Sequence, residues 1–258
     1  MVKRAAIQAL KLDGITGLLS HLSVRLLGQP HFLVPASSIH FRNAGLTCTR
    51  TEFDFLHALL PGVESNQIEK ALDFAKALPE LNLSQEIDLE FPERWNSGAG
   101  LQHVMAALVW LVKPDLVVET GTANGASALA ISAAMSAIKL GKLISIDITK
   151  SDAILVPNHL REYINFVQVD GSVENLKTVL QSEKQKSGIS IFLHDADHSY
   201  LGQQSDYHVA RDFAFDIIIS DDVDTSLAFL DFAGQSGVVL YDVPKFIGGL
   251  SERKSLIS

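Results

Sequence analysis

Residues 115–148 read "DLVVETGTANGASALAISAAMSAIKLGKLISIDI". A short β-branched run, 115–120, is followed by a turn holding Gly121 and Gly125. An apolar helix and a second strand, 142–148, come next. Neither strand alternates polar with apolar residues. Near-continuous apolar runs of this length belong to parallel strands covered on both faces. The unit is therefore strand, glycine turn, helix, parallel strand.

The same alternation continues to the end of the chain. Strands are expected at 165–169, 190–195, 216–221 and 237–243, with a last short one near 246–250. Helices are expected at 172–181, 200–213 and 225–234, and a short one near 159–164. Upstream, "LQHVMAALVWLV" (101–112) is an apolar helix. Alternating strands and helices with right-handed crossovers give an α/β fold, a doubly wound, mostly parallel Rossmann-like sheet. Its ligands bind at the carboxyl ends of the strands. Residues 1–95 are expected as a mainly helical N-terminal extension, a lid or an oligomer contact, with helices following Thr51 and Ser65. Residues 96–258 are expected as the ligand-binding domain.

Composition narrows the partners. The 258 residues are 47% apolar and carry a net charge of −9. No global basic footprint is present, which argues against nucleic acid as a partner. No apolar run reaches the length of about 18 residues that a membrane-spanning helix needs. Cys48 is the one cysteine, so an intrachain disulfide and a cysteine-built metal site are excluded. That suits a reducing cytoplasm.

The glycine turn fails two nucleotide fingerprints. Ala123 stands at the second glycine of G-x-G-x-x-G, and no Lys-Ser/Thr pair completes a phosphate loop. What stands is Glu119-x-Gly121-x-x-x-Gly125. It resembles motif I of class I S-adenosylmethionine-dependent methyltransferases. "ISIDI" ends the next strand with Asp147, where that family places a carboxylate on the ribose hydroxyls. "FVQVDGS" ends the third with Asp170, where the family contacts adenine. The resemblance covers roughly residues 95–250. It implies S-adenosyl-L-methionine held along Glu119, Gly121, Gly125 and Ser127, and along Asp147, Asp170, Gly171 and Ser172. Read without it, the glycines serve a turn, and Asp170 with Ser172 makes a turn and a helix cap.

Two further strands end in acid. Asp195 closes "SIFLHD", and Asp221 and Asp222 close "DIIISDD". Neighbouring strands lie about 4.8 Å apart, so paired strands bring three carboxylates together. Like charges at that range destabilise one another unless a cation joins them. Oxygen-only ligands suit a hard ion, Mg2+ before Ca2+ or Mn2+. Helix capping by Asp222 or Asp224 accounts for one carboxylate, not for all three. "HDADHSY" and "SDDVD" also resemble the metal motifs of divalent-cation-dependent O-methyltransferases, and most of all the family of macrolide-sugar O-methyltransferases and cephalosporin-hydroxylase-like proteins. That resemblance implies Asp195, Asp221 and Asp222 as metal ligands and His198 as general base. Catechol-type relatives usually carry lysine there, so histidine favours an aliphatic hydroxyl.

The expected activity is methyl transfer from S-adenosylmethionine to a hydroxyl of a small polyhydroxylated acceptor, a sugar or a natural product. If an alcohol is like water, the gap between its pKa and that of histidine is about 9 units, or roughly 12 kcal/mol. Histidine alone does not bridge that; a metal holding the oxygen stabilises the developing alkoxide. The rivals are a catechol-type phenol acceptor, a cofactor-binding scaffold without turnover, and a nicotinamide dehydrogenase. Tyr200, His208 and Asp224 are secondary candidates for acceptor contact. Trp95 and His103 are candidates for the cofactor pocket, Trp95 equally for a core anchor, and His194 is expected to pack in the core.

Overall fold

The computed structural model describes residues 38–82, 88–183, 188–242 and 245–252. Of the mainly helical extension expected over residues 1–95, the part before residue 38 lies outside the described residues. Eight strands form one sheet: β1 (Thr47–Thr49), β2 (Leu116–Thr120), β3 (Lys142–Asp147), β4 (Ile164–Gln168), β5 (Ser190–His194), β6 (Ile217–Ser220), β7 (Val238–Asp242) and β8 (Lys245–Ser251). Their order is β1-β7-β8-β6-β5-β2-β3-β4. All pairings are parallel except those of β8, which runs antiparallel to both β6 and β7. Among the described residues no helix is long and apolar enough to cross a membrane.

Among the described residues eight α-helices accompany the sheet: α1 (Ser38–Asn43), α2 (Glu52–Leu59), α3 (Ser65–Ala77), α4 (Ala99–Val112), α5 (Ala126–Ile138), α6 (Val173–Glu183), α7 (Tyr200–Asp212) and α8 (Ala228–Ala233). Alternate strand residues point to opposite faces, and the apolar core divides accordingly. Val117, Leu143, Ile191, Leu193, Ile217 and Ile219 join one cluster with α2 to α5. Leu116, Val118, Ile144, Phe192 and Ile218 join the other with α6 to α8. The unbroken apolar runs of these strands are the sequence trace of a sheet buried twice.

Three elements depart from expectation. Residues 47–49, in the segment expected as mainly helical, form β1 and extend the sheet by pairing with β7. The short helix expected near 159–164 is present as a 3-10 helix at Asn158–Tyr163. The helix expected over 225–234 is confined to Ala228–Ala233, because the chain before it is tied into the loop after β6. The last strand is longer than expected and sits inside the sheet. It accepts neighbours on both faces because Gly248 and Gly249 lack side chains. A Cβ on Gly248 would meet Phe229 and Val223 at 2.7 Å, and one on Gly249 would meet Phe55 at 2.7 Å.

Gly249→Ala is therefore expected to overpack the core and cost about 1–3 kcal/mol, read as a lower urea midpoint without a change in slope.

Candidate active site

β2 hydrogen-bonds β3 on one side and β5 on the other. The strand order reverses there, and the two neighbours diverge at its carboxyl end. Gly121 N–H donates to Ile146 O at 2.8 Å, while Asp195 N–H donates to Thr120 O at 2.8 Å. The glycine turn begins in this fork. Gly121 has φ +94, and a Cβ there would lie 2.0 Å from the Asp195 carbonyl oxygen. Only glycine lets the turn rest on the end of β5.

The turn is held from below and from the side. Asp147 Oδ2 accepts from Thr122 N–H at 2.8 Å and Ala123 N–H at 3.3 Å, and its Oδ1 accepts from Thr149 N–H at 2.9 Å. The carboxylate predicted to meet ribose thus organises the turn itself. Beneath it, Ser145 Oγ donates to Glu119 Oε1 at 2.5 Å and lies 2.7 Å from Thr122 Oγ1. Glu119 is fully buried. Desolvation pushes its pKa up to about 8, against the hydrogen bonds of Ser145 and Ser127, and the charges of Asp195 and Asp147 add to the rise. It is a neutral acid at pH 7. Ser127 is buried in the first turn of α5.

Asn124 is a residue that sequence reasoning missed. It is fully buried. Its Oδ1 accepts from Phe91 N–H at 2.9 Å, and its Nδ2 donates to Phe91 O at 3.0 Å and to Asn96 Oδ1 at 2.8 Å. The segment around 91–96 is thereby clasped to the glycine turn. It carries Trp95, stacked on Phe91 at 5.8 Å and 52% exposed, so Trp95 is no core anchor. His103 turns instead to Glu52, with Nδ1 2.8 Å from Oε1.

Asp170 is exposed and accepts from Ser172 N–H at 2.9 Å and Ser172 Oγ–H at 2.6 Å. Ser172, with help from Asn175, holds its pKa down to about 2. Ser172 Oγ in turn accepts from Asn175 N–H at 3.2 Å and caps α6. The turn-and-cap arrangement is thus formed at Asp170, Gly171 and Ser172. Ile148, 64% exposed, lies between Asp147 and this turn, and a Cβ on Gly171 would stand 3.1 Å from it.

At the ends of β5 and β6 two of the predicted acids, Asp195 and Asp222, face one imidazole. Asp221 N–H donates to His194 O at 2.9 Å, so both strands stop level. Asp221 is buried. Between Asp195 and Asp222 stands the His198 ring. Nε2 lies 3.5 Å from Asp195 Oδ1, and Nδ1 lies 3.3 Å from Asp222 Oδ2. Burial pushes the His198 pKa down, but Asp195, then Asp222 and Asp221, outweigh it, and the net shift is upward. Asp222 has φ +48, a conformation costing a non-glycine residue about 1–3 kcal/mol and concentrated at functional sites. Thr225 Oγ1 lies 3.0 Å from His198 O and 2.7 Å from Asp222 O, linking the two loops. Burial raises the pKa of Asp224, helped by Asp222 and opposed by His198. Among the described residues no group of three or more His, Cys, Asp or Glu is assembled to hold a metal ion.

Other candidates have structural work. Asp197 accepts from Ser199 N–H and Oγ–H at 2.9 Å, and Ser199 caps α7 through Gly202 N–H. Tyr200 donates to Asp231 at 2.7 Å and ties α7 to α8. The His208 ring packs edge-on against Phe232. His194 is buried as expected, but it is not merely packed: its Nδ1 lies 2.8 Å from Asp206 Oδ2. Nothing in the sequence around Asp206 singles it out.

Residues 101–212 match the family model for rhamnosyl O-methyltransferase/CmcI. The match spans less than half of the chain. The matched span holds the glycine turn, Asp147, Asp170, Asp195 and His198, and ends before Asp221. Among solved structures, a methyltransferase of Podospora anserina bound to S-adenosylhomocysteine is 13% identical. That alignment covers 78% of this chain and 93% of the other, with a TM-score of 0.48. An O-methyltransferase of Bacillus cereus with the same ligand is 14% identical over 77% and 96%, with a TM-score of 0.46. CalS11, a TDP-rhamnose 3′-O-methyltransferase of calicheamicin biosynthesis, is 13% identical over 85% and 97%, with a TM-score of 0.44. No curated protein matches the chain.

The buried acid makes stability pH-dependent. The Glu119 carboxyl ionises near 4.5 when unfolded and near 8 when folded. Between those values the native state keeps a proton that the unfolded state has lost, so stability falls as pH rises from about 4.5 to about 8. Glu119→Gln is expected to flatten that fall, by an amount on the order of a few kcal/mol, measured as urea unfolding at pH 5 and pH 8.

Proposed function

We propose that this protein is a methyltransferase that moves the methyl group of S-adenosylmethionine to an aliphatic hydroxyl of a small polyhydroxylated acceptor, with Mg2+ as cofactor. One observation carries the proposal: His198 stands in the field of Asp195, Asp221 and Asp222, beside the turn read as the cofactor cradle. The donor set fits a hard dication, being three carboxylates with no sulfur. In the structure Asp195 and Asp222 face the imidazole of His198. When bound by Asp195, Asp221 and Asp222, Mg2+ supplies Lewis-acid stabilisation of an alkoxide.

The chain's own residues divide the remaining tasks. The turn from Gly121 to Gly125, with Asp147 and the region of Asp170 to Ser172, holds the nucleoside of the cofactor. Glu119, neutral at pH 7, leaves the sulfonium without a buried anion directly beneath the turn. Asp195 faces Nε2 of His198 and Asp222 faces Nδ1, and both carboxylates strengthen the ring's hold on an incoming proton. The acceptor oxygen attacks the methyl carbon, the carbon–sulfur bond breaks, and its electron pair stays on sulfur as S-adenosylhomocysteine. The hydroxyl proton passes to the His198 ring.

His198→Ala is expected to lower kcat about 10²- to 10⁴-fold while the affinity for S-adenosylhomocysteine, by calorimetry, stays close to wild type. An unchanged rate would remove His198 as the base. Activity on a sugar diol is expected to exceed that on a catechol, to vanish with chelator and to return with Mg2+. Equal activity with chelator present would remove the metal from the scheme.

A further inference from the structure

His198 is not placed by its carboxylate neighbours alone. Its ring meets that of His194 edge to face, with centroids 5.7 Å apart and planes at 75°. His194 is completely buried, and its other side meets Tyr207 in the same way at 5.5 Å. Two neighbours fix its remaining freedom. Asp206, from α7, presents Oδ2 to Nδ1 at 2.8 Å. A carboxylate only accepts, so Nδ1 carries the hydrogen. Thr120 donates its hydroxyl to the same oxygen at 2.8 Å and lies 3.4 Å from His194 Nδ1.

Thr120 is the last residue of β2 and immediately precedes Gly121. One carboxylate therefore joins the strand end that launches the glycine turn to the imidazole that backs His198. We propose that Asp206, acting with Thr120 through His194, is a positioning residue that sets the placement of His198 relative to the cofactor turn. This rests on the role given to His198 above. A core with no such task has no need of the arrangement. Burying an imidazole against a carboxylate carries a desolvation cost that an apolar pair of similar volume avoids. The brace also lies on the sheet face opposite Glu119, so it is not part of the network beneath the turn.

Misplacement of a reacting group by about 1 Å costs about a hundredfold in rate. Asp206→Asn and Thr120→Val are accordingly expected to lower kcat about ten- to a hundredfold, with KM for S-adenosylmethionine little changed. Thr120→Ser, which keeps the hydroxyl, is expected to retain most of the rate. The direct readout is proton NMR of the full chain labelled with 15N-histidine. The wild type is expected to show a downfield, slowly exchanging Nδ1 proton from His194. In Asp206→Asn that signal moves upfield and the His198 ring signals shift with it. Absence of the downfield proton in wild type overturns the brace. So do variants that lose thermal stability but keep kcat and the His198 signals. A wild type that methylates neither diol nor catechol counts against the methyl-transfer proposal alone, and the NMR comparison then decides the brace.

Discussion

The absent side chain of Gly121 is the constraint on which the site depends. β2 bonds forward into β3 through Gly121 N–H and sideways into β5 through Thr120 O, and a Cβ at 121 would occupy the Asp195 carbonyl. The cofactor turn and the acidic strand end are thus in van der Waals contact through main chain. No side chain, with its rotamers, stands between them. In the function proposed above, a methyl donor on the turn and carboxylates at the ends of β5 and β6 would be brought together by backbone geometry.

Acidic groups at these strand ends meet three fates, and each follows from what surrounds them. Glu119, sealed beneath the turn, gives up its charge. Asp147 and Asp170 are compensated by backbone and hydroxyl donors, the usual compensation for a carboxylate near a loop. Asp195 and Asp222 face an imidazole that holds its proton more tightly for their presence. Asp222 does so from a backbone conformation few side chains adopt. A chain under no functional demand would relieve that last group by substitution, whereas the first two need no relief.

The sheet was legible because its strands obey one local rule. Apolar runs of five or six residues between helical periods have few other places to lie, and β2, β3, β5 and β6 fall within a residue or two of expectation. β1 was not legible. Three residues, Thr47–Thr49, carry no period, and their pairing partner lies some 190 positions away in β7. Helix α8 was overestimated because Thr225 and Ser226 spend their hydroxyls on His198 O, Asp222 O and Gln203, a tertiary demand that outweighs local helix propensity. The acids at Asp195, Asp221 and Asp222 were visible, since each closes a strand. Asn124 and Asp206 were not: an asparagine in a turn and an aspartate inside an amphipathic helix look ordinary until folding shows what they face.

Strand parity explains why the site draws on both layers of the fold. Glu119 shares its face of β2 with Val117 and looks toward α5 and Ser145. Thr120 shares the other with Val118 and looks toward α7 and Asp206. Two consecutive residues thus send one hydrogen-bond network to each side of the sheet. The first steadies the glycine turn from beneath; the second reaches His194, and through it the loop bearing His198. Both networks therefore start from one strand end, so a change at the end of β2 bears on both halves of the site.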